Sequence, residues 1–208
     1  MASHEMTSQP RRALTRADIM DMADYAKIRK ERRAAITALK RHRRLAVGPF
    51  ATFHFESYET MWMQVHEMLH IERGGEEQIA GELQAYNPLI PRGDDLITTL
   101  MLEIDDPVRR ERELYRLAGI EDTITLEVSG STVAGQPIED EVARTTEDGK
   151  TSSIHFLRFP FTLAEAARFC TPGTRVLLGV AHPAYGHLAV MPEETRAALA
   201  EDLEKADA

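Results

Sequence analysis

"RVLLGVAHPAYGHLAVM", residues 175–191, holds two apolar runs around a Pro-Ala-Tyr-Gly break, so it predicts a β-hairpin and with it an antiparallel sheet. With residues 183–186 as the loop, His182 and His187 become opposed cross-strand neighbours, about 5 Å apart at Cβ, where two imidazoles could share one ion. Working outward, "SSIHFLRFPF" (152–161) reads as another strand, with His155 and Arg158 on opposite faces of its alternation. "TITLEVSG" (123–130) alternates Ile124, Leu126 and Val128 as a half-buried strand does, and "LITTLMLEI" (96–104) is a further strand. "LAVGPFATFHFES" (45–57) reads as a strand or hairpin beside the Gly48-Pro49 turn signal.

Helical spacing fills the intervals. A main helix is expected over 21–41, carrying Tyr25, Ile28, Ala35, Ile36 and Leu39 toward a core. A central helix is expected over 56–70, a second piece over 76–86 after Gly74-Gly75, and shorter helices after Pro107, after the Thr162…Glu165 capping box and after Pro192. The expectation is therefore α+β, with a mostly antiparallel sheet, a long N-terminal basic helix and a central helix bearing an HExxH motif. Residues 1–13, rich in Ser, Gln, Pro and Arg, read as a disordered leader, and 14–208 as one domain. No apolar stretch reaches the length of a membrane span, which points to a cytoplasmic protein. The single Cys170 excludes an internal disulfide and any Cys-rich metal site.

The net charge of −9 hides an asymmetry: residues 27–44 contain nine Lys/Arg against the single Glu31. Arg29, Arg32, Arg33, Arg43 and Arg44 are the candidate partner-binding residues of this stretch. It could pair with acidic parts of the same molecule or of a partner. Nucleic acid is disfavoured, because interleaved aromatics are missing and the rest of the chain is acidic.

His66-Glu67-Met68-Leu69-His70 has the H-E-x-x-H spacing that offers two imidazoles to zinc from one helix face, with the glutamate placed to activate water. The competing reading is a buried helix that carries two histidines by chance; no third ligand stands at a familiar place, and Arg73 occupies the glycine position of the metzincin extension. On the same wheel Glu72 falls within the apolar stripe of Met61, Val65, Met68 and Leu69, where a carboxylate needs an arginine or a metal. Glu67 and Glu72 are the candidate catalytic carboxylates; His66, His70, His155 and His182 are the candidate ligands for zinc or iron.

"DYAKIRKERRAAITALKRHRRLAVGP", "EMLHIER", "ELQAYNPLIP", "SSIHFLRF" and "GVAHPAY", in this order, resemble the bacterial Domain of Unknown Function 3501 family from Leu14 to Leu203. The resemblance implies no particular reaction. It implies a setting, since relatives tend to be encoded near rubrerythrin-like and iron–sulfur oxidoreductase proteins. In typical relatives the positions of His66 and His70 look like Gln and Arg, whereas Glu67, Glu72, Asn87, His155, Arg158 and His182 match the family's pattern. A zinc-peptidase site would then be specific to this member, and a family-wide site would centre on Glu67 or Glu72 with His155 and His182.

Three functional expectations result. The first is a divalent-metal protein, performing metal-assisted hydrolysis or an iron-dependent redox reaction linked to oxidative stress. The second is a non-enzymatic accessory protein that docks an acidic redox partner, of rubrerythrin or iron–sulfur type, through the basic helix 27–44. The third is nucleic-acid binding through that helix. No membrane role is expected, and oligomerisation stays open.

Overall fold

The computed structural model describes residues 11–138, 145–146 and 148–203. Among these, the chain forms α1 (Met22–Lys40), β1 (Arg44–Val47), β2 (Ala51–Phe55), α2 (Tyr58–Glu72), α3 (Glu76–Tyr86) and β3 (Asp95–Leu102). It continues through α4 (Pro107–Arg116), β4 (Ile124–Val128), β5 (Ser131–Ala134), β6 (Gln136–Pro137), β7 (Ile154–Pro160), α5 (Leu163–Cys170), β8 (Val176–His182), β9 (Tyr185–Val190) and α6 (Glu193–Ala200). The fold is α+β, and every strand pairing is antiparallel.

The strands form two sheets, β1-β2-β3-β7-β6 and β5-β4-β8-β9. Period-2 alternation explains how they stack: Phe53, Phe55, Leu100, Leu157 and Phe159 point from the first sheet into a core shared with Leu126, Val128, Leu178 and Val180 of the second. The other face of the first sheet turns Ile97 and Phe156 toward Met61, Val65 and Leu69 of α2 and Ile79 of α3. Helices, five-stranded sheet and four-stranded sheet are thus three successive layers. Leu114 of α4, Phe169 of α5 and Leu199 of α6 add to the core between the sheets.

Two expectations are corrected, the hairpin loop and the burial of α1, and a third falls mostly outside the described residues. Of the segment read as a leader, residues 1–10 lie outside the described residues, but Arg11 pairs with Asp18 and Arg12 donates to the Asp202 carbonyl. The next residues are clamped by Asn87, whose amide accepts from Leu14 N–H at 2.7 Å and donates to Leu14 O at 3.0 Å. The 175–191 hairpin turns on Pro183 and Ala184 alone, so His182 pairs with Tyr185, and His187 pairs with Val180. The two histidines are not opposed, because the shorter loop moves the register. Tyr185 takes the inward place; its hydroxyl donates to Val47 O and accepts from Phe50 and Ala51 N–H, closing the β1–β2 turn.

The second correction concerns α1. Helical period is right, and Asp21 caps the helix by accepting from Ala23 and Asp24 N–H. Yet of its 19 residues only Tyr25 is buried. Ile28, Ile36 and Leu39 are half-buried and Ala35 is exposed; Ile36 and Leu39 border an open cavity shared with Tyr58 and Trp62 of α2 instead of packing into a core.

Candidate functional site

The HExxH residues lie on α2, which starts at a reciprocal Ser57–Thr60 cap and stops where Arg73 turns left-handed (φ 57°) before Gly74-Gly75. His66 is fully buried between Trp62, at 3.8 Å between ring centroids, and Tyr25, at 5.0 Å. Its Nδ1–H donates to Trp62 O at 2.7 Å, and its Nε2 accepts from Met20 N–H at 3.1 Å. These partners fix the neutral tautomer and occupy the lone pair that a metal would need. Burial also lowers the His66 pKa. His70 is half-buried one turn on, edge-on to the Tyr25 ring at 5.9 Å.

Glu67 is held by α1. Its carboxylate accepts from Tyr25 Oη at 2.6 Å and takes Arg29 side-on, with Nε at 2.8 Å and Nη2 at 2.7 Å. The Arg29 fork and the Tyr25 hydroxyl bring its pKa down to about 2, and burial, with the hydrogen bond to Glu67, carries Tyr25 well above its ordinary value. A carboxylate so committed is a poor proton acceptor near neutral pH. The glutamate of the motif therefore anchors the basic helix.

Glu72 is exposed rather than buried: it is the last residue of α2, past the cover of the first sheet, and its carboxylate accepts from Gln78 Nε2 at 2.7 Å. His155 is buried on β7, its Nε2 2.9 Å from Ser152 O and its Nδ1 3.7 Å from Glu121 Oε2. His182 Nε2–H donates to Ala118 O and Nδ1 accepts from Ala184 N–H, both at 3.2 Å. The four histidines and the two α2 carboxylates are not brought together. Among the described residues, no group of three or more His, Cys, Asp or Glu side chains is placed to hold a metal ion. Cys170 is half-buried, its Sγ 3.8 Å from Ala200 O.

The state of His66 has a measurable consequence. Its folded pKa lies below the ordinary 6.5, so below that pH the unfolded chain binds the extra proton more readily, and stability falls as pH drops from 6.5 through the folded value. Thermal melts of the wild type are expected to lose stability between pH 7.5 and pH 5 in part through this group. A His66→Phe variant, less stable at pH 7.5, is expected to show a shallower fall. An equal fall in both would assign the acid sensitivity elsewhere, His54 being the other histidine whose pKa burial lowers.

The second candidate surface is α1 itself. Two of the five arginines expected there are internally committed. Arg29 serves Glu67, and Arg43, just past the helix, is buried, donating to Phe55, Glu56 and Ala198 carbonyls and pairing with Asp202. Lys27 pairs with Asp24 within the helix. Lys30, Arg32, Arg33, Lys40, Arg41 and Arg44 are exposed and, among the described residues, make no ion pair. Lys30, Arg33 and Arg41 recur at i, i+3 and i+11, one stripe of the helix that faces solvent.

The family described as Protein of unknown function (DUF3501) matches residues 13–203. The chain belongs to the DUF3501 family. A crystal structure described as a novel protein of unknown function from Burkholderia pseudomallei K96243 is similar at 36% identity, covering 92% of this chain and 100% of that one, with a TM-score of 0.85. No curated protein matches.

The positions that carry the DUF3501 resemblance have physical roles here. Glu67 anchors α1, Asn87 clamps the segment at Leu14, and His182 ties its turn to Ala118. Arg158 Nε donates to the buried Asp95 at 2.6 Å, with Asp94 alongside. None of these roles was visible in the sequence, because each partner lies many residues away. The one local signal was composition: Trp62, the only tryptophan, sits four residues before His66 and donates Nε1–H to Asp18 O at 2.9 Å.

Proposed function

We propose that this DUF3501 protein is a non-enzymatic docking protein whose basic helix α1 binds an acidic surface of a partner protein. The supporting observation is that α1 spans 19 residues with one buried side chain, while six cations along and just beyond it make no ion pair among the described residues. Such exposed cations contribute little to folding, since surface ion pairs are worth about 0–1 kcal/mol. They act at longer range, steering an acidic partner and fixing its orientation. The anchoring of α1 by Tyr25, Arg29 and Glu67 presents the stripe on a rigid element. A protein is favoured over nucleic acid because the rest of this net −9 chain repels a polyanion of high charge density but tolerates one acidic face.

The test is fluorescence anisotropy with labelled poly-L-glutamate, with duplex DNA and single-stranded RNA as competitors. Binding is expected at low salt, to weaken toward physiological salt, and to fall by about tenfold or more in Lys30→Glu/Arg33→Glu/Arg41→Glu. No binding, binding unchanged by these substitutions, or tighter binding of DNA or RNA would contradict the proposal.

A further inference from the structure

β9 (Tyr185–Val190) is the last strand of the four-stranded sheet, and its free side is an open hydrogen-bonding edge. Its other side is spent on β8: Met191 N–H donates to Val176 O, and the hydrogen-bonded pairs step from there to Ala189 with Leu178, His187 with Val180 and Tyr185 with His182. The alternate residues Gly186, Leu188 and Val190 therefore turn their N–H and C=O groups outward, where among the described residues no backbone group takes them. All three residues are exposed, Leu188 at 74% and Val190 at 60%. Leu188 lies across Gly179 of β8, where an added Cβ would come within 2.7 Å of its Cδ2, so the leucine covers the outer face of the sheet beside the open edge.

Sheet edges are ordinarily blunted by charge, proline or shortness. The other three edges here are: β1 carries Arg44, β6 is two residues long and ends at Pro137, and β5 has four residues. β9 has six, and from Pro183 to Pro192 the chain contains no Lys, Arg, Asp or Glu. We infer that β9 is the contact through which two copies of this chain pair, antiparallel about a two-fold axis at Leu188, joining their four-stranded sheets into one continuous sheet. About that axis each Leu188 meets its own image, and each Val190 meets the Gly186 of the other copy. Every outward donor and acceptor of the two edges is then satisfied, as strand addition requires. On the outer face the two leucines close on each other, and each valine faces a glycine that leaves it room. The charge pattern selects a second copy as the occupant: a chain of net −9 meets its own image at least cost where no charge faces its like, and the neutral β9 is such a place. Because β9 belongs to the layer opposite the helices, the pairing leaves α1 uncovered on each copy.

The test is sedimentation velocity of the full chain from micromolar to submillimolar concentration, with urea unfolding to confirm that each variant is folded. The wild type is expected to pass from monomer to dimer as concentration rises. Leu188→Lys and Leu188→Glu are each expected to weaken that association by at least about tenfold, since like charges meet at the axis, and an equimolar mixture of the two is expected to restore the dimer. Leu188→Pro removes an N–H that faces away from β8, so it leaves the β8 pairing in place and is also expected to weaken the dimer by at least about tenfold. A wild type that stays monomeric throughout overturns the inference. So does a dimer that none of the substitutions weakens, or a Lys and Glu mixture that fails to associate. A dimer lost in Leu188→Lys but kept in Leu188→Pro would place the contact on the outer face of the sheet and overturn the strand pairing.

Discussion

Arg43→Met is expected to destabilise the protein by about 3–5 kcal/mol, because it removes one half of a buried ion pair and strands the other half. Arg43 is 5% exposed and ends the basic run, yet its guanidinium points inward. It donates to Phe55 O at 3.1 Å, Glu56 O at 2.7 Å and Ala198 O at 3.3 Å, and pairs with Asp202. It thereby ties the end of β2 to α6. Methionine matches much of the side-chain volume but leaves three carbonyls and a carboxylate without their donor. Neighbouring Arg44→Met, at an exposed position, is expected to stay within about 0.5 kcal/mol of the wild type. Urea unfolding of the two variants checks the contrast, and similar small losses in both would mean that Arg43 is a surface cation like its neighbours.

Glu67→Ala is expected to cost about 2–3 kcal/mol and to loosen the N-terminal half of α1. The substitution leaves the buried Tyr25 hydroxyl without its charged acceptor and Arg29 without its partner. Hydrogen exchange should show α1 amides losing protection while those of β3 and β7 keep theirs. Glu67→Gln, which can still accept from Tyr25, is expected to cost less. The acid limb follows from the same group: its folded pKa, about 2 against an ordinary 4.5, means its contribution is intact above pH 4.5 and is lost as pH falls through about 2. Wild-type stability should therefore fall across that window more steeply than that of Glu67→Gln. If Glu67→Ala left stability and α1 protection unchanged, the glutamate of the motif would not be an anchor.

The strands were legible because burial on one face writes a period of 2 into the residues: Ile124, Leu126 and Val128 are all buried, as are His155, Leu157 and Phe159. Register was not legible, since it depended on whether two or four residues make the 183–186 turn, and Pro183-Ala184 suffices. The wheel of α2 identified Met61, Val65 and Leu69 correctly but carried the stripe one turn too far, to Glu72, where the sheet beneath has ended. For α1 the same wheel told which residues share a face and could not tell whether anything covers it. The HExxH spacing put two imidazoles on one side of a helix; that a backbone N–H from Met20, 46 residues earlier, would take the His66 lone pair is a tertiary fact. Arg29 and Arg43 look like the other basic residues in sequence, and only packing separates the two that hold the fold from the six left to solvent.

The central claim is that those six cations serve a partner rather than the fold. It is tested most directly by titrating labelled poly-L-glutamate with the wild type and with Lys30→Glu/Arg33→Glu/Arg41→Glu, at low and at physiological salt, after confirming by urea unfolding that both proteins are equally stable. The account predicts salt-sensitive binding by the wild type, a loss of about tenfold or more in the variant, and unfolding curves within about 0.5 kcal/mol of each other. Wild-type protein that ignores the polyanion at low salt, or a variant that binds it as well as the wild type does, would contradict it.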